Sequence, residues 1–225
     1  MKKTQKRKKI SIKKIIVFSI IIVILYFIVS ILLNTKTKNI IILNNNYYND
    51  EDIMTSANIE NYPKFLLLNT KKIENKIKKL DLIEDVKVYK KMGFILRIEI
   101  KEKKILYFVR SENKYMLSDN KTYEINDVLA YPTLINYVPE NIQKSFNKEL
   151  YKIDDNIIRM ISEIEYSKTE FDDKRFKLLM NDGNQVYITI SRTNLLNKYI
   201  DIIKKIDNKS GILYLDSGNY FEIKN

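Results

Sequence analysis

The sequence predicts an α+β protein in three parts: an N-terminal transmembrane helix, a β-α-α-β-β domain, and a second, β-rich α+β domain. Three observations predict it. Residues Ile15 to Leu33 run for nineteen positions without a charge. Apolar spacing then alternates between helical and strand periods over about sixty residues. From Lys104 onward, short strand-like runs parted by turn residues dominate.

The charge-free run, as a helix rising about 1.5 Å per residue, is roughly 28 Å long and matches the ~30 Å hydrocarbon core of a bilayer. The fourteen residues before it, 1-14, hold eight basic side chains and no acid. Basic flanks stay on the cytoplasmic side, so 1-14 is predicted to be a cytoplasmic tail, 15-33 the span, and Asn34 to Asn225 extracytoplasmic. A cleaved signal peptide would have a shorter apolar core and a small-x-small exit. Here the exit is Leu32-Leu33-Asn34-Thr35-Lys36 and the first alanine is Ala57, so the span is expected to be an uncleaved anchor.

The net charge of +12 suggests nucleic acid until it is apportioned. Forty basic residues less the eight of the head leave thirty-two, against twenty-eight acids that all lie beyond Asn49. A near-neutral outer part gives no reason to invoke phosphate backbones; the basic head sets topology and touches anionic lipid. The chain has no cysteine and no histidine, which removes thiolate chemistry, zinc sites and His-based triads. No cofactor and no metal ligand set is predicted. A membrane-anchored extracytoplasmic Ser-Lys peptidase is the remaining enzymatic alternative, and with lysine so common a serine near a lysine is weak evidence for it. Glycine occurs four times against twenty-four asparagines, so asparagine is expected to fill many turn positions that need positive φ.

After a linker, 34-38, the outer elements follow in order. Ile40-Ile41-Ile42-Leu43 and three asparagines predict a strand and a turn. Asn49-Asp50-Glu51-Asp52 places a cap and acids at the start of a short helix through Asn58. Thr70 is the expected cap of a second helix with Ile73, Ile77 and Leu80 on one stripe and lysines on its other, solvated faces. Val86 and Val88, then Phe94, Leu96, Ile98 and Ile100, alternate with charged residues around a turn at Lys90-Lys91-Met92-Gly93. In the second domain Ile105-Leu106-Tyr107-Phe108-Val109 is a strand. Tyr115-Met116-Leu117 and Tyr123-Glu124-Ile125 flank a turn at Ser118-Asp119-Asn120-Lys121. Glu140 to Tyr151 is weakly helical. Asp154 or Asp155 is expected to cap a helix carrying Ile157, Ile158, Ile161 and Ile164. Phe176, Leu178 and Met180, an Asn181-Asp182-Gly183-Asn184 turn, and Val186, Ile188 and Ile190 give the strongest hairpin signal. Thr193 or Asn194 should cap a helix with Leu195, Leu196, Tyr199, Ile202, Ile203 and Ile206. Two short apolar runs parted by Asp216-Ser217-Gly218 follow from Gly211.

A basic tail, one span, this β-α-α-β-β module and a β-rich second domain resemble the FtsQ/DivIB family of bacterial cell division proteins, FtsQ in Gram-negative and DivIB in Gram-positive bacteria. The first outer module of that family is the POTRA domain, here 39-103, and 104-225 would be its FtsQ/DivIB-type β-rich domain. The resemblance runs from Ile40-Ile41-Ile42-Leu43 to the hairpin and glutamate at Ile98-Glu99-Ile100-Lys101-Glu102. It continues through the turn Leu117-Ser118-Asp119-Asn120-Lys121 and through Tyr131-Pro132-Thr133-Leu134-Ile135-Asn136, similar to a Leu-Pro-x-Leu-x-Gly pattern. It ends at Leu213-Tyr214-Leu215-Asp216-Ser217-Gly218-Asn219-Tyr220-Phe221. Order and spacing carry it, since each motif is degenerate. The family's Gly-Asn after the first strand is here three asparagines, its hairpin proline is Met92-Gly93, and the glycine near Asn136 is absent. The chain would also lack the C-terminal extension of some relatives.

The resemblance implies a non-catalytic bitopic scaffold at the division septum. Its partners would be the bitopic proteins FtsL and DivIC (FtsB in Gram-negative bacteria) and, with them, the septal peptidoglycan synthase complex. The physical candidate for the contact is the last strand, since a C-terminal strand often forms a sheet edge to which a partner strand can add. By resemblance the contact falls at Leu215, Ser217, Gly218 and Tyr220. Leu213, Leu215 and Phe221 read equally well as core, and Ser217-Gly218 as a turn. An outer-membrane assembly factor, the other POTRA-bearing class, would need a barrel or repeated modules.

Overall fold

The structure, a computed structural model, describes residues 12–125, 129–207 and 209–223. The basic head up to Ser11 therefore lies outside the described residues. The chain divides into two compact units, Met1–Glu102 and Lys103–Asn225.

The first unit opens with helix α1 (Ile12–Asn34), 23 residues long and without a buried side chain. It is long and apolar enough to cross a membrane. Ser19 returns its hydroxyl to the Ile15 carbonyl at 3.0 Å, as a polar group in a span must. Strand β1 (Asn39–Leu43), α2 (Asp50–Ala57), a 3-10 turn at Phe65–Leu67, α3 (Thr70–Ile77), β2 (Ile83–Lys91) and β3 (Ile95–Glu102) complete the unit. The sheet order is β1-β3-β2, with β1 parallel and β2 antiparallel to β3. Alternation puts Val86, Val88, Leu96, Ile98 and Ile100 on one face, against Ile53 and Ala57 of α2 and Ile73 and Ile77 of α3.

Local chemistry sets the ends of these elements. Asn49 and Asp52 form a reciprocal capping box on α2, with the Asp52 N–H donating to Asn49 Oδ1 at 2.8 Å, and Asn58 closes the helix in the left-handed region at φ 57°. On α3 the cap is Asn69, not Thr70: Asn69 Oδ1 accepts from the Lys72 N–H at 3.1 Å, three residues on, and Thr70 is the first helical residue. The helix stops at Ile77, so Leu80 packs from the turn beyond it. Glu102 folds back on the asparagine turn after β1, its Oε1 accepting from the Asn46 and Tyr47 N–H groups at 2.9 Å each. Of the seven described non-glycine residues with positive φ, four are asparagines: Asn44, Asn58, Asn113 and Asn120. Asparagine thus takes over work usually left to glycine.

The second unit is a nine-stranded sheet packed by helices. Its strands are β4 (Ile105–Val109), β5 (Lys114–Leu117), β6 (Thr122–Tyr123), β7 (Thr133–Leu134), β8 (Ile161–Tyr166), β9 (Arg175–Met180), β10 (Gln185–Thr189), β11 (Gly211–Tyr214) and β12 (Tyr220–Ile223). Between β7 and β8 lie α4 (Glu140–Leu150) and α5 (Asp155–Arg159); between β10 and β11 lie a 3-10 helix at Ile190–Lys198 and α6 (Tyr199–Lys205). Spatial order is β12-β11-β10-β9-β8-β7-β4-β5-β6. The core is built around Phe146 of α4, stacked at 3.9 Å on Phe176 of β9, with Leu106, Ile158, Leu178, Ile188 and Leu196 fully buried around them.

Two expected helices are corrected. The segment from Asp154 is a helix only to Arg159; Ile161 and Ile164 belong to β8. A register shift between Ile161 and Glu163 turns both isoleucines inward at a spacing of three, which imitates a helix in the sequence. Asp154 caps α5, accepting from the Asn156 N–H at 2.8 Å. Thr193 and Asn194 cap nothing. Ile190, Thr193, Leu196 and Tyr199 are buried at intervals of three, the period of a 3-10 helix, which runs to Lys198 before α6 begins. The Thr193 hydroxyl, fully buried, donates to the Ile190 carbonyl at 3.0 Å and so stays within that turn.

Candidate functional site

The predicted contact segment resolves into a hairpin at one edge of the nine-stranded sheet. Leu213 and Tyr214 lie in β11, which pairs in parallel with β10 (Val186↔Leu213, Tyr187↔Tyr214) and antiparallel with β12 (Leu213↔Phe221, Tyr214↔Tyr220). Both ladders of β11 are therefore occupied. Leu215, Asp216, Ser217, Gly218 and Asn219 form the connection, and Tyr220 and Phe221 begin β12. Leu213 and Leu215 are buried core residues, whereas Tyr220 and Ile223 are 52% and 50% exposed. Among the described residues, one side of β12 has no strand beside it. Alternate residues of such an edge turn both N–H and C=O outward.

The edge is seated by Gly211. A Cβ there would stand 2.1 Å from the Glu222 carbonyl oxygen and 2.7 Å from the Phe221 ring, so only glycine lets β12 come this close. The Gly211 N–H donates to Oδ1 of the buried Asn184 at 2.7 Å, tying β11 to the β9–β10 turn.

On one face of the sheet three tyrosines stack across three strands: Tyr187 and Tyr214 with ring centres 5.4 Å apart, then Tyr214 and Tyr220 at 4.5 Å. The Arg175 guanidinium covers the inner end, 3.8 Å from the Tyr187 ring. Burial first, then the Glu222 carboxylate to which it donates at 3.1 Å, raise the Tyr214 phenol above its usual range. On the opposite face Phe221 joins Leu195, Ile202, Ile206 and Leu213 around an apolar cleft of about 420 Å³, with Lys198 and Lys205 on its rim.

Two arginines hold the connecting turn. Arg175 Nε donates to Asp216 Oδ2 at 2.6 Å, and Arg192 donates to Asn219 Oδ1 at 2.6 Å and to the Asp216 carbonyl at 3.4 Å. Burial alone would raise the Asp216 carboxyl; the Arg175 bond and the Ser217 N–H more than reverse this and hold it below the usual carboxylate range. Sequence reasoning missed Arg175, Arg192 and Tyr187. Each belongs to a strand or helix distant in the chain, and nothing local marks it as a partner of residues 214–220.

The partly buried lysine that a Ser-Lys arrangement would require is best approximated by Lys104, whose ammonium burial pushes below its usual value. That ammonium donates to the carbonyls of Tyr151 and Ile153 at the end of α4. Ser118 Oγ instead accepts from the Lys104 backbone N–H at 3.2 Å. The pair is a backbone clamp.

Residues 35–103 match the family model for the POTRA domain, FtsQ-type. The cell division protein DivIB of Bacillus subtilis strain 168 is 30% identical over 165 residues, covering 71% of this chain and 63% of that protein. DivIB of Listeria monocytogenes is 29% identical over 162 residues, covering 67% and 59%. The chain thus spans less than two thirds of the length of either relative. The major extracytoplasmic domain of DivIB from Geobacillus stearothermophilus, a solved structure, aligns with 48% of this chain and 96% of its own at 20% identity and a TM-score of 0.40, a likeness too slight to bear on the fold. The chain thus carries an FtsQ-type POTRA domain at residues 35–103 and is similar over most of its length to the DivIB cell division proteins.

Proposed function

We propose that the chain is a non-catalytic, single-span scaffold of the divisome, with its basic head in the cytoplasm and both folded units outside. It binds FtsL and DivIC/FtsB-type partners by addition of a partner strand to β12, and through them bears on septal peptidoglycan synthesis. One observation carries the reading: β12 is exposed and, among the described residues, its outer side is an unpaired edge. The opposite edge of the same sheet, β6, is only two residues long and offers almost no ladder. Shortness is how proteins blunt an edge they do not use, whereas β12 runs for four residues beside an apolar cleft. An added strand would gain main-chain hydrogen bonds from the outward groups and set its alternate side chains over the cleft and beside Tyr220.

The test is capture of tagged FtsL and DivIC-type partners from membranes by the full chain carrying Phe221→Pro or Glu222→Pro. N–H groups alternate in direction along a strand, so one of the two prolines removes an outward donor and the other an inward one. Both variants should lose most of the captured partner, while the first unit stays folded by circular dichroism of protease-resistant fragments. Undiminished capture by both variants would sink strand addition at β12. Loss of capture with the midcell band of a fluorescent fusion retained would place the localisation signal elsewhere.

A further inference from the structure

We propose that the end of the first unit next to α1 is a membrane-docking surface, with Leu66, Leu67 and Met92 entering the interfacial layer of an anionic bilayer whose headgroups meet the surrounding lysines. The inference rests on the membrane placement of α1 given above and is independent of strand addition at β12.

The placement follows from hydrogen bonds at the exit of the span. The charge-free run ends at Leu33, and within four residues the chain is tied to the segment that leads into the 3-10 turn at Phe65–Leu67. Lys64 Nζ donates to Asn34 Oδ1 at 2.7 Å, the Phe65 N–H to the Thr35 carbonyl at 3.0 Å, and both N–H and hydroxyl of the buried Thr37 to the Pro63 carbonyl at 3.0 and 2.9 Å. The 3-10 turn is therefore held at the level where α1 leaves the hydrocarbon. The β2–β3 turn reaches the same level by topology. The Lys38 N–H donates to the Phe94 carbonyl at 2.9 Å, and β1 and β3 start side by side (Asn39↔Ile95) and run away in parallel. Phe65 and Phe94 close the space between the two turns, edge to face at 5.5 Å.

This end carries what an interfacial surface needs. Leu66 is 43% exposed, Leu67 63% and Met92 96%. Lys36, Lys38, Lys64, Lys90 and Lys91 are exposed among them; the one carboxylate in the 58–68 loop is Glu60. Leucines flanked by lysines suit the boundary between acyl chains and anionic headgroups, where long cationic stems lie along apolar surface and raise their charge to the phosphates. A soluble partner protein would find the leucines only after displacing the bilayer beside which α1 already holds them.

The chain has no cysteine, so single cysteines report position cleanly. Leu67→Cys, Met92→Cys, Asp81→Cys and Ile24→Cys would each be labelled with an environment-sensitive fluorophore in the full chain. The proteins would be reconstituted alone in nanodiscs of phosphatidylcholine with or without phosphatidylglycerol. Labels at 67 and 92 should shift to the blue and be quenched by shallow lipid-borne quenchers, more so with phosphatidylglycerol. The label at 81, at the far end of β2 and about 25 to 30 Å from the turn at 3.3 Å per residue, should report water, and that at 24 deep hydrocarbon. Lys36→Glu combined with Lys64→Glu and Lys91→Glu should abolish the phosphatidylglycerol dependence. Labels at 67 and 92 that match the one at 81, while 24 is deeply quenched, overturn the proposal. So does burial that appears only when partner proteins are added. A label at 24 that reports water overturns the membrane placement of α1 itself, and this proposal with it.

Discussion

Replacing Gly211 by alanine should detach β12 and leave the rest of the second unit standing. The new methyl carbon would stand 2.1 Å from the Glu222 carbonyl oxygen and 2.7 and 2.8 Å from two carbons of the Phe221 ring. Carbon atoms in contact rest about 3.5 Å apart, so β12 must retreat by roughly 1 Å. Backbone hydrogen bonds near 2.9 Å do not survive that stretch unchanged. The β11–β12 ladder has four residue pairs, of which alternate ones exchange two bonds each, and among the described residues no further strand supports β12 from outside. At about 0.5 to 1.5 kcal/mol net per bond, and with overpacking costing about 1 to 3 kcal/mol, the strand should lose roughly 1 to 3 kcal/mol of local stability.

Hydrogen exchange reads that loss directly. Amides of β12, 220–223, should exchange about 5- to 140-fold faster in Gly211→Ala, since about 1.4 kcal/mol is a factor of ten. Those of 175–189 should be unchanged, because β9 and β10 draw their burial from Phe176, Leu178, Val186 and Ile188. On the proposed function, partner capture falls in step with the β12 amides. Unchanged protection in 220–223 would refute the steric argument. An equal loss in both segments would refute the separability of β12 from the core.

Asp216→Asn should flatten the acid limb of the second unit's stability. A carboxyl held below its usual range contributes stability that is fully present above that range and is lost as pH falls through its lowered value, so wild type and variant melting temperatures should converge on acidification. A gap that widens toward low pH would contradict the Arg175 pairing. Tyr107→Phe should cost about 1 to 3 kcal/mol in urea unfolding of the second unit, because the buried Asn147 Oδ1 loses the phenol that donates to it at 2.7 Å. An unchanged midpoint would mean that the amide finds another donor.

Where neighbours in the chain decide the structure, the residues spell it out. The hairpins at β2–β3 (from Val86 onward) and β9–β10 alternate because both strands of each have one buried face, and the capping box at Asn49 and Asp52 is three residues of local chemistry. The errors arise where a long-range feature bends the period. The register shift in β8 brings Ile161 and Ile164 inward together, and the 3-10 helix at Ile190–Lys198 substitutes a spacing of three for one of 3.6. In both cases the apolar residues are recognisable as core from their pattern, whereas the backbone that joins them is not. Of the candidate site, the apolar runs around Asp216 are legible as two strands. The arginine clamp, the tyrosine stack and the cleft are not, because Arg175, Tyr187 and Arg192 meet residues 24 to 41 positions away in the chain.

The weakness of β12 is itself consistent with a binding strand. It has one ladder, little buried surface and a glycine without which it cannot dock, so it sits at the low-stability end of its unit. An edge that must accept a partner cannot be covered, shortened to two residues like β6, or crowded with charge. An edge of four residues offers only a modest affinity on the scale of ordinary interfaces. Tethering changes that balance. If α1 holds the chain in the membrane, a partner with a single span of its own is confined to the same thin layer, and the effective concentration of each for the other rises. On the proposed function, a short, weak edge is then sufficient, and the contact it makes stays reversible.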